Sequence, residues 1–306
     1  MGLSIDTGWS YSNFCGGDSM REIIRIRCLK HIYPDKTEVK VCGLDFIVHE
    51  RERVAILGEN GSGKTTLLNH ILGLLKPVEG EITVFGCDPV KNQKKVIKKI
   101  GVVFQNVDEQ IIGPTVYDDI AFAPRNYGFP EDRVDKMVKE VSERMGITHL
   151  LHKIPHYLSG GQKKKVALAG AMVLKPELLI LDEPFNGLDP KSKEDIIKLL
   201  REINLSYGTA LLLTSHDINF LPEIVDKIYI LHDGRIIRYG SVEEVLQERD
   251  FLYQVSLRPP ILVELFSRLR NRGIEVEIPI NIDQAEVQLL NLLKSRGEVH
   301  WNGYRK

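Results

Sequence analysis

Residues 58–66, GENGSGKTT, constrain this chain more than any other stretch. They follow the apolar run Val54-Ala55-Ile56-Leu57 and precede TTLLNHILGLL, which reads as a helix. A buried strand must therefore turn into a helix through a glycine-rich loop. Gly58, Gly63, Lys64 and Thr65 fit GxxxxGK[ST]. Glycines let backbone N–H groups wrap a phosphate. A lysine there reaches the terminal phosphate oxygens, and a hydroxyl can ligate Mg²⁺. The helix N-terminus adds positive potential at the same point. The competing reading is a plain polar turn, and the rest of the chain decides between them.

Around this loop, apolar strands and helical patterns alternate. EIIRIRCLKHIYP and TEVKVCGLDFIVHE alternate apolar and polar residues, and GEITVFG and KIGVVFQ have the same character. Helical periodicity runs from about Thr115 to Val173, with breaks at Pro130, Gly146 and Gly160-Gly161. ELLILDEP, a helix from Pro190, TALLLTS, a short helix and KIYILHDG follow. This order predicts an α/β fold with a mostly parallel sheet and an inserted helical block at about 106–175. Residues 1–20, rich in Gly and Ser, read as a disordered tail or a non-native extension. After residue 250 the pattern changes. RPPILVELFSRLRNRG predicts a helix with Ile261, Leu262, Leu265, Phe266 and Leu269 on one face. IEVEIPI alternates like a strand, and DQAEVQLLNLLKSRG reads as a second helix.

Composition excludes several classes. A net charge of −1 gives no bulk attraction to nucleic acid or an acidic membrane. The short run Lys163 to Lys165 reads as a solvated helix face. No apolar run approaches the ~18–20 residues of a membrane span, and the first residues do not resemble a signal peptide, so a soluble intracellular chain is expected. The four cysteines, Cys15, Cys28, Cys42 and Cys87, form no CxxC pair, so reduced thiols are expected.

Two further motifs decide the chemistry. LLILD ends an apolar strand in Asp182, followed at once by Glu183. The first acid can hold Mg²⁺, and the second can activate a water for attack on a γ-phosphate. LSGGQ, residues 158–162, places Ser159, Gly160 and Gly161 before a helix and makes a second anion-binding helix start. One chain needs one cradle per ATP, so the second makes sense if it serves the ATP of a partner subunit.

In this order and spacing, residues 21–250 resemble the ABC ATPases. The resemblance implies a P-loop NTPase core of that type, with a mostly parallel sheet, an antiparallel β subdomain and a helical subdomain carrying the signature. Gly58, Glu59, Asn60, Gly61, Ser62, Gly63, Lys64, Thr65 and Thr66 match the Walker A loop, and Tyr33 matches the aromatic that stacks on adenine. Gln105 matches the Q-loop glutamine, and Ser159, Gly160, Gly161 and Gln162 match the signature. Asp182 and Glu183 match the Walker B acid and catalytic base. Asp189 in NGLDP matches the D-loop, and His216 in TSHD matches the switch histidine. These matches imply ATP as ligand, Mg²⁺ on Thr65, Gln105 and Asp182, and catalysis by Glu183, His216, Gln105 and Lys64. PFNG departs from many relatives, which have Thr or Ser after the Pro; Asn186 replaces a small residue near the D-loop, and its role is left open.

Tyr33-Pro34-Asp35 and residues 104–128, FQNVDEQIIGPTVYDDIAFAPRNYG, resemble the ATPases of energy-coupling factor transporters, including cobalt and nickel uptake systems. Asp108, Glu109 and Gln110 match the polar run of that branch. The resemblance implies an importer of a micronutrient (cobalt or nickel ion, or a vitamin) and peripheral attachment to the inner face of the membrane. A transmembrane scaffold subunit would dock near residues 105–119, with the substrate-binding membrane subunit reached only indirectly. The resemblance also implies a second ATPase, either a further copy or a paralogue. By the same resemblance, residues 251–306 are expected to form a small α+β extension that holds the two ATPases together, its apolar faces divided between its own core and the partner. The competing function is a soluble ABC ATPase acting on nucleic acid or ribosomes, or another transporter branch. The single cassette and the lack of a basic stripe favour an ATPase without a nucleic-acid partner.

Overall fold

The computed structural model describes residues 20–34 and 38–295. Residues 1–19, with Cys15, lie outside this range, as do Asp35 and residues 296–306. Ten strands are described: β1 (Glu22–Ile32), β2 (Glu38–Gly43), β3 (Phe46–His49), β4 (Arg53–Leu57), β5 (Glu79–Val84), β6 (Ile100–Val103), β7 (Leu178–Leu181), β8 (Ala210–Ser215), β9 (Lys227–His232) and β10 (Arg235–Ser241). Their order is β3-β1-β2-β10-β9-β4-β8-β7-β6, with β5 paired to β1. The strands β9, β4, β8, β7 and β6 run parallel, while β1 pairs antiparallel with β2, β3 and β5. The parallel core and the antiparallel subdomain meet where β2 pairs with β10.

The apolar runs form central strands because both of their faces are covered. Ala55, Leu57, Leu179, Leu181, Leu211 and Leu213 face a core built with helices Val116–Asn126, Glu131–Arg144, Gly160–Met172 and Pro190–Tyr207. Their sequence neighbours Val54, Ile56, Leu178, Ile180, Ala210 and Leu212 face the opposite core, shared with helix Lys64–Ile71 and the antiparallel strands. Burying each Leu or Ile side chain contributes about 1.5–3 kcal/mol. The helical block keeps the expected breaks. Pro130 caps the helix Glu131–Arg144, Gly146 takes φ 66 just beyond it, and Ser159 caps the helix Gly160–Met172.

Four expectations need correction. Residues 274–279 form no strand. Instead, glutamine side chains bond this extended backbone, from Gln247 Nε2 to the Ile278 carbonyl (2.7 Å) and from the Ile280 amide to Gln284 Oε1 (2.9 Å). The alternation has another cause: Ile278 and Ile280 pack on the core. Among described residues the extension is therefore helical, with helices Arg249–Gln254, Ile261–Asn271 and Ile282–Ser295. The second correction concerns the helix Ile261–Asn271, which buries Val263 and Phe266 but leaves Ile261 and Leu265 exposed. Third, Cys28 and Cys42 are disulfide-bonded, since they lie next to the Leu29↔Val41 pair that ends the β1–β2 ladder. Cys87 is free. Fourth, the lysine run is not a solvated face: Lys164 is buried, Lys163 pairs with Asp108 (2.5 Å) and Lys165 with Asp195 (2.8 Å). No described helix is long and apolar enough to cross a membrane.

Candidate active site

Parallel α/β sheets gather ligands at the carboxyl ends of their strands. Here the ladder aligns four such ends. Leu57 is opposite Ser215, Leu213 opposite Leu181, and Leu181 opposite Val103. The residues that follow each end, Gly58, His216, Asp182 and Gln105, thus leave the sheet along one edge. A cleft of ≈ 320 Å³ opens there, lined by Tyr33, Asn60, Gly61, Gly63, Lys64, Thr65, Thr66, Gln105, Asp182, Glu183 and His216. A larger hollow of ≈ 660 Å³ lies in the C-terminal extension, but its lining includes no glycine-rich loop or lysine.

The loop geometry depends on its glycines. A Cβ on Gly58 would meet the Leu231 carbonyl oxygen at 2.2 Å. Gly61 and Gly63 take φ +83° and +105°, values that other residues adopt only under strain. Lys64 is buried, and its ammonium donates to the carbonyls of Gly58 (2.7 Å) and Glu59 (3.0 Å). It stands 3.9 Å from Glu183 Oε1. Burial lowers the Lys64 pKa, partly offset by the charges of Glu183 and Asp182. The Ser62 hydroxyl is buried without a partner in the protein.

The acidic pair is fixed by a residue the sequence reading did not single out. Thr214, fully buried on β8, donates to Asp182 Oδ1 (2.5 Å) and accepts from the Glu183 amide (3.0 Å). Glu183 itself has φ 45, so its backbone depends on that anchor. Its Oε2 contacts His216 Nδ1 at 2.9 Å, while its buried Oε1 has no hydrogen-bond partner. The Thr65 hydroxyl donates to Asp182 Oδ2 at 3.4 Å. Hydroxyl, amide and carboxylate oxygens are hard donors of the type Mg²⁺ takes, so Thr65, Gln105 and Asp182 fit that ion.

At the rim, the Tyr33 hydroxyl lies 2.8 Å from Thr66 Oγ1, and the His31 ring meets Tyr33 edge-on with centroids 4.5 Å apart. His31 packs in turn on the fully buried His70, whose pKa burial pushes down to about 4. Val39 and Asn186 also line the cleft. Only a buried hydroxyl near the end of an apolar strand could have pointed to Thr214, and Val39 carries no sequence signal.

Two predicted elements lie away from this cleft. Ser159 and Gln162 form a capping box: the Ser159 hydroxyl accepts from the Gln162 amide (3.3 Å) and Gln162 Oε1 from the Ser159 amide (3.0 Å). Asp189 caps helix Pro190–Tyr207, bonded to Ser192. The two helix starts adjoin, since a Cβ on Gly161 would meet Ser192 Oγ at 2.4 Å. Neither Ser159, Gly160, Gly161 and Gln162 nor Asp189 lines the chain's own cleft. Gln105 does, and its carbonyl accepts from Lys164 at 3.4 Å.

A glycine-cradled lysine, an aligned acid pair and a histidine define an ATP-hydrolysing class of site. Residues 41–186 match the family model described as ABC transporter. The chain is 39% identical over 274 residues to the energy-coupling factor transporter ATP-binding protein EcfA of Methanothermobacter thermautotrophicus, covering 89% of this chain and 88% of that one. It is 44% identical over 271 residues to a putative ABC transporter ATP-binding protein of Methanopyrus kandleri, covering 88% and 99%. The solved structure of cbiO1 from Clostridium perfringens, described as part of the ABC transporter complex cbiONQ, superposes with a TM-score of 0.70 at 38% identity. It covers 80% of this chain and 99% of that one. The chain therefore belongs to the ABC transporter ATP-binding family, as an ATPase of the energy-coupling factor type.

Proposed function

We propose that this chain is the motor subunit of an importer of the energy-coupling factor type, driving uptake of a micronutrient such as cobalt or nickel ion or a vitamin. The observation that carries the reading is a half-complete site: the cleft holds Lys64, Asp182, Glu183 and His216, while the helix start at Ser159 faces elsewhere. Two chains meeting head to tail would complete two ATP sites, each between the Lys64 loop of one and the Ser159, Gly160 and Gly161 of the other. The partner is a second copy or a paralogue. Asp189, beside that helix start, would sit at the same junction. ATP favours the closed pair because it touches both chains only there, so binding shifts the population.

Within the cleft, Gly61 and Gly63 orient amides toward the phosphates, Lys64 neutralises their charge, and Tyr33 offers a face to adenine. Thr65, Gln105 and Asp182 would hold Mg²⁺, which offsets phosphate charge when bound. Glu183 Oε1, free of other hydrogen bonds, accepts the proton of the attacking water. His216, held against Glu183 Oε2, faces the transferred group. Loss of the γ-phosphate removes what the two chains share, and the pair reopens.

The surface beside Gln105 supports a membrane partner. Phe104 and Ile112 are exposed in this stretch, as are Phe122 and Tyr127 further along the chain. Asp119 shapes this surface by accepting from the amides of Ile112 (2.9 Å) and Gly113 (3.0 Å). In this reading the scaffold subunit docks near residues 105–119 and keeps the chain on the inner face of the membrane. On the extension, exposed Ile261, Leu265, Ile282 and Val287 offer a face for the second ATPase.

The test is to purify tagged Glu183→Gln chain from detergent-solubilised membranes with ATP and identify what accompanies it by mass spectrometry. Small polytopic membrane proteins are expected. Ribosomal or DNA-repair proteins with nucleic acid in their place would refute the importer reading while leaving the ATPase chemistry intact.

A further inference from the structure

We propose that Cys28 and Cys42 are a thiol–disulfide switch that sets the affinity of the nucleotide cleft. The proposal rests on the reading of that cleft as the ATP site. The two sulfurs are bonded across the β1–β2 ladder, with a sequence separation of 14. The loop they close contains Tyr33 and Val39, both of which line the cleft. Cys28 is exposed and Cys42 partly so, which leaves the bond open to small thiols.

The stapled strand touches the phosphate loop directly. Val39 Cγ1 lies 3.0 Å from where a Cβ on Gly63 would sit. The Tyr33 hydroxyl meets Thr66 on the helix that follows the loop. His31, paired with Val39 across the ladder, supports the Tyr33 ring. Whatever holds β2 against β1 therefore holds one wall of the cleft.

β2 is paired on both edges but buries little. Val41 is its only buried residue. Its ladder to β1 runs through the pairs from Leu29↔Val41 to Ile32↔Glu38, and its ladder to β10 has only Arg235↔Cys42 and Ile236↔Gly43. β1, by contrast, is paired with β3 and β5 as well and buries Ile23, Ile24, Ile26 and Leu29. An element with so little buried surface opens locally at low cost. The covalent bond closes that route, and its reduction restores it.

The exchange balances with a low-molecular-weight disulfide as oxidant. One protein thiolate attacks the small disulfide, releasing one thiol and leaving a mixed disulfide. The second protein thiolate attacks the protein-side sulfur of that bond and releases the other thiol. Two electrons and two protons pass from Cys28 and Cys42 to the small disulfide, which becomes two thiols. A small thiol reverses both steps, and Cys28, the more exposed residue, meets it first.

Opening of β2 lowers the fraction of molecules with a complete cleft wall, and the apparent Kd for ATP rises by the inverse of that fraction. A fall in that fraction to about one fifth raises the Kd about fivefold. The test uses the full chain equilibrated with oxidised glutathione or with dithiothreitol, the state of each sample being fixed by alkylation and mass spectrometry. Titration with a fluorescent ATP analogue gives the Kd, and hydrogen exchange of the β2 amides is measured without nucleotide.

The oxidised chain should carry fewer alkylatable thiols by the Cys28–Cys42 pair, exchange its β2 amides more slowly and bind about fivefold more tightly. Cys28→Ser and Cys42→Ser should bind like the reduced chain in both buffers, and Cys87→Ser should keep the response. Failure of the bond to form under oxidised glutathione overturns the proposal. So does redox-insensitive affinity in samples of verified state. An absence of ATP binding in both states overturns the cleft reading and the switch with it, whereas redox-insensitive binding overturns the switch alone.

Discussion

Thr214→Val tests the anchor of the acidic pair. The substitution keeps the side-chain volume and removes the hydroxyl that bonds Asp182 Oδ1 at 2.5 Å and the Glu183 amide at 3.0 Å. A hydrogen bond to a charged group is worth about 1.5–3 kcal/mol, and an unsatisfied buried amide costs about 1–3 kcal/mol. Asp182 and Glu183 lie at the cleft, each 7% exposed, so water relieves part of both losses. The lower ends of the two ranges give a destabilisation of about 2–3 kcal/mol. Unfolding entropy near 2.1 cal/mol/K per residue converts this to a fall of about 4 °C in Tm for a chain of 306 residues. Released from Thr214, Glu183 has less reason to keep its φ of 45, and its carboxylate drifts. Misplacement of a catalytic group by about 1 Å costs up to about 100-fold, so kcat should fall about 10- to 100-fold. KM should move far less, because the Lys64 loop is untouched. Differential scanning calorimetry and steady-state phosphate release measure both effects. A variant with wild-type Tm and wild-type kcat would refute the claim that Thr214 positions the pair.

Gly58→Ala would drive a methyl group to within 2.2 Å of the Leu231 carbonyl oxygen; if the overpacking of about 1–3 kcal/mol falls on the nucleotide-bound form, ATP binding weakens about 5- to 150-fold, and wild-type affinity by titration would contradict it. Glu264 has its pKa lowered from 4.5 to about 2, first by its hydrogen bond to Arg249 and then by that to Arg268. Its stabilising contribution is therefore present above pH 4.5 and is lost as pH falls toward 2. Glu264→Gln should cost about 1 kcal/mol in denaturant melts at pH 7, allowing for solvent screening, and almost nothing near pH 2; a pH-independent difference would show that the arginine pairing is not its source. Ile112→Asp, at a position 65% exposed, should leave Tm and ATP affinity unchanged while membrane subunits no longer co-purify. Retained co-purification would place the docking surface elsewhere.

The sequence disclosed whatever repeated chemistry or strong periodicity encodes. Buried strands such as Leu178–Leu181 are apolar at every position because both faces are covered, and the carboxylates that follow them are conspicuous for that reason. Lys64, Asp182 and Glu183 could be placed in one site because each follows such a strand or the loop after it, whereas His216 is placed there by the family resemblance. What stayed hidden depends on partners distant in the chain. Thr214 looks like one more β-branched strand residue until the ladder sets it beside Asp182. The alternation of residues 274–280 is genuine, but only the fold reveals that glutamine side chains and not a neighbouring strand receive its backbone. The Cys28–Cys42 bond follows from the register of β1 against β2, which spacing along the chain does not encode.

The register also explains how chemistry at one strand edge can reach a surface beyond it. Gln105 leaves β6 at the cleft, and the segment after it forms the exposed apolar surface around Ile112. That segment is tied to the helix Gly160–Met172 at two points: Lys164 donates to the carbonyls of Phe104 and Gln105 at 3.4 Å, and Lys163 binds Asp108 at 2.5 Å. Lys164 is buried and its pKa is lowered to about 8 by that burial, so both carbonyls stabilise a charge that has little access to water. The same helix begins at Ser159, the end that would meet the partner's nucleotide. One helix thus carries both the Ser159 start and the ties to the Gln105 segment. If two chains share ATP as proposed, a rotation of the helical block that moves Ser159 would also move Phe104 and Gln105 through these ties, and with them the surface proposed for docking.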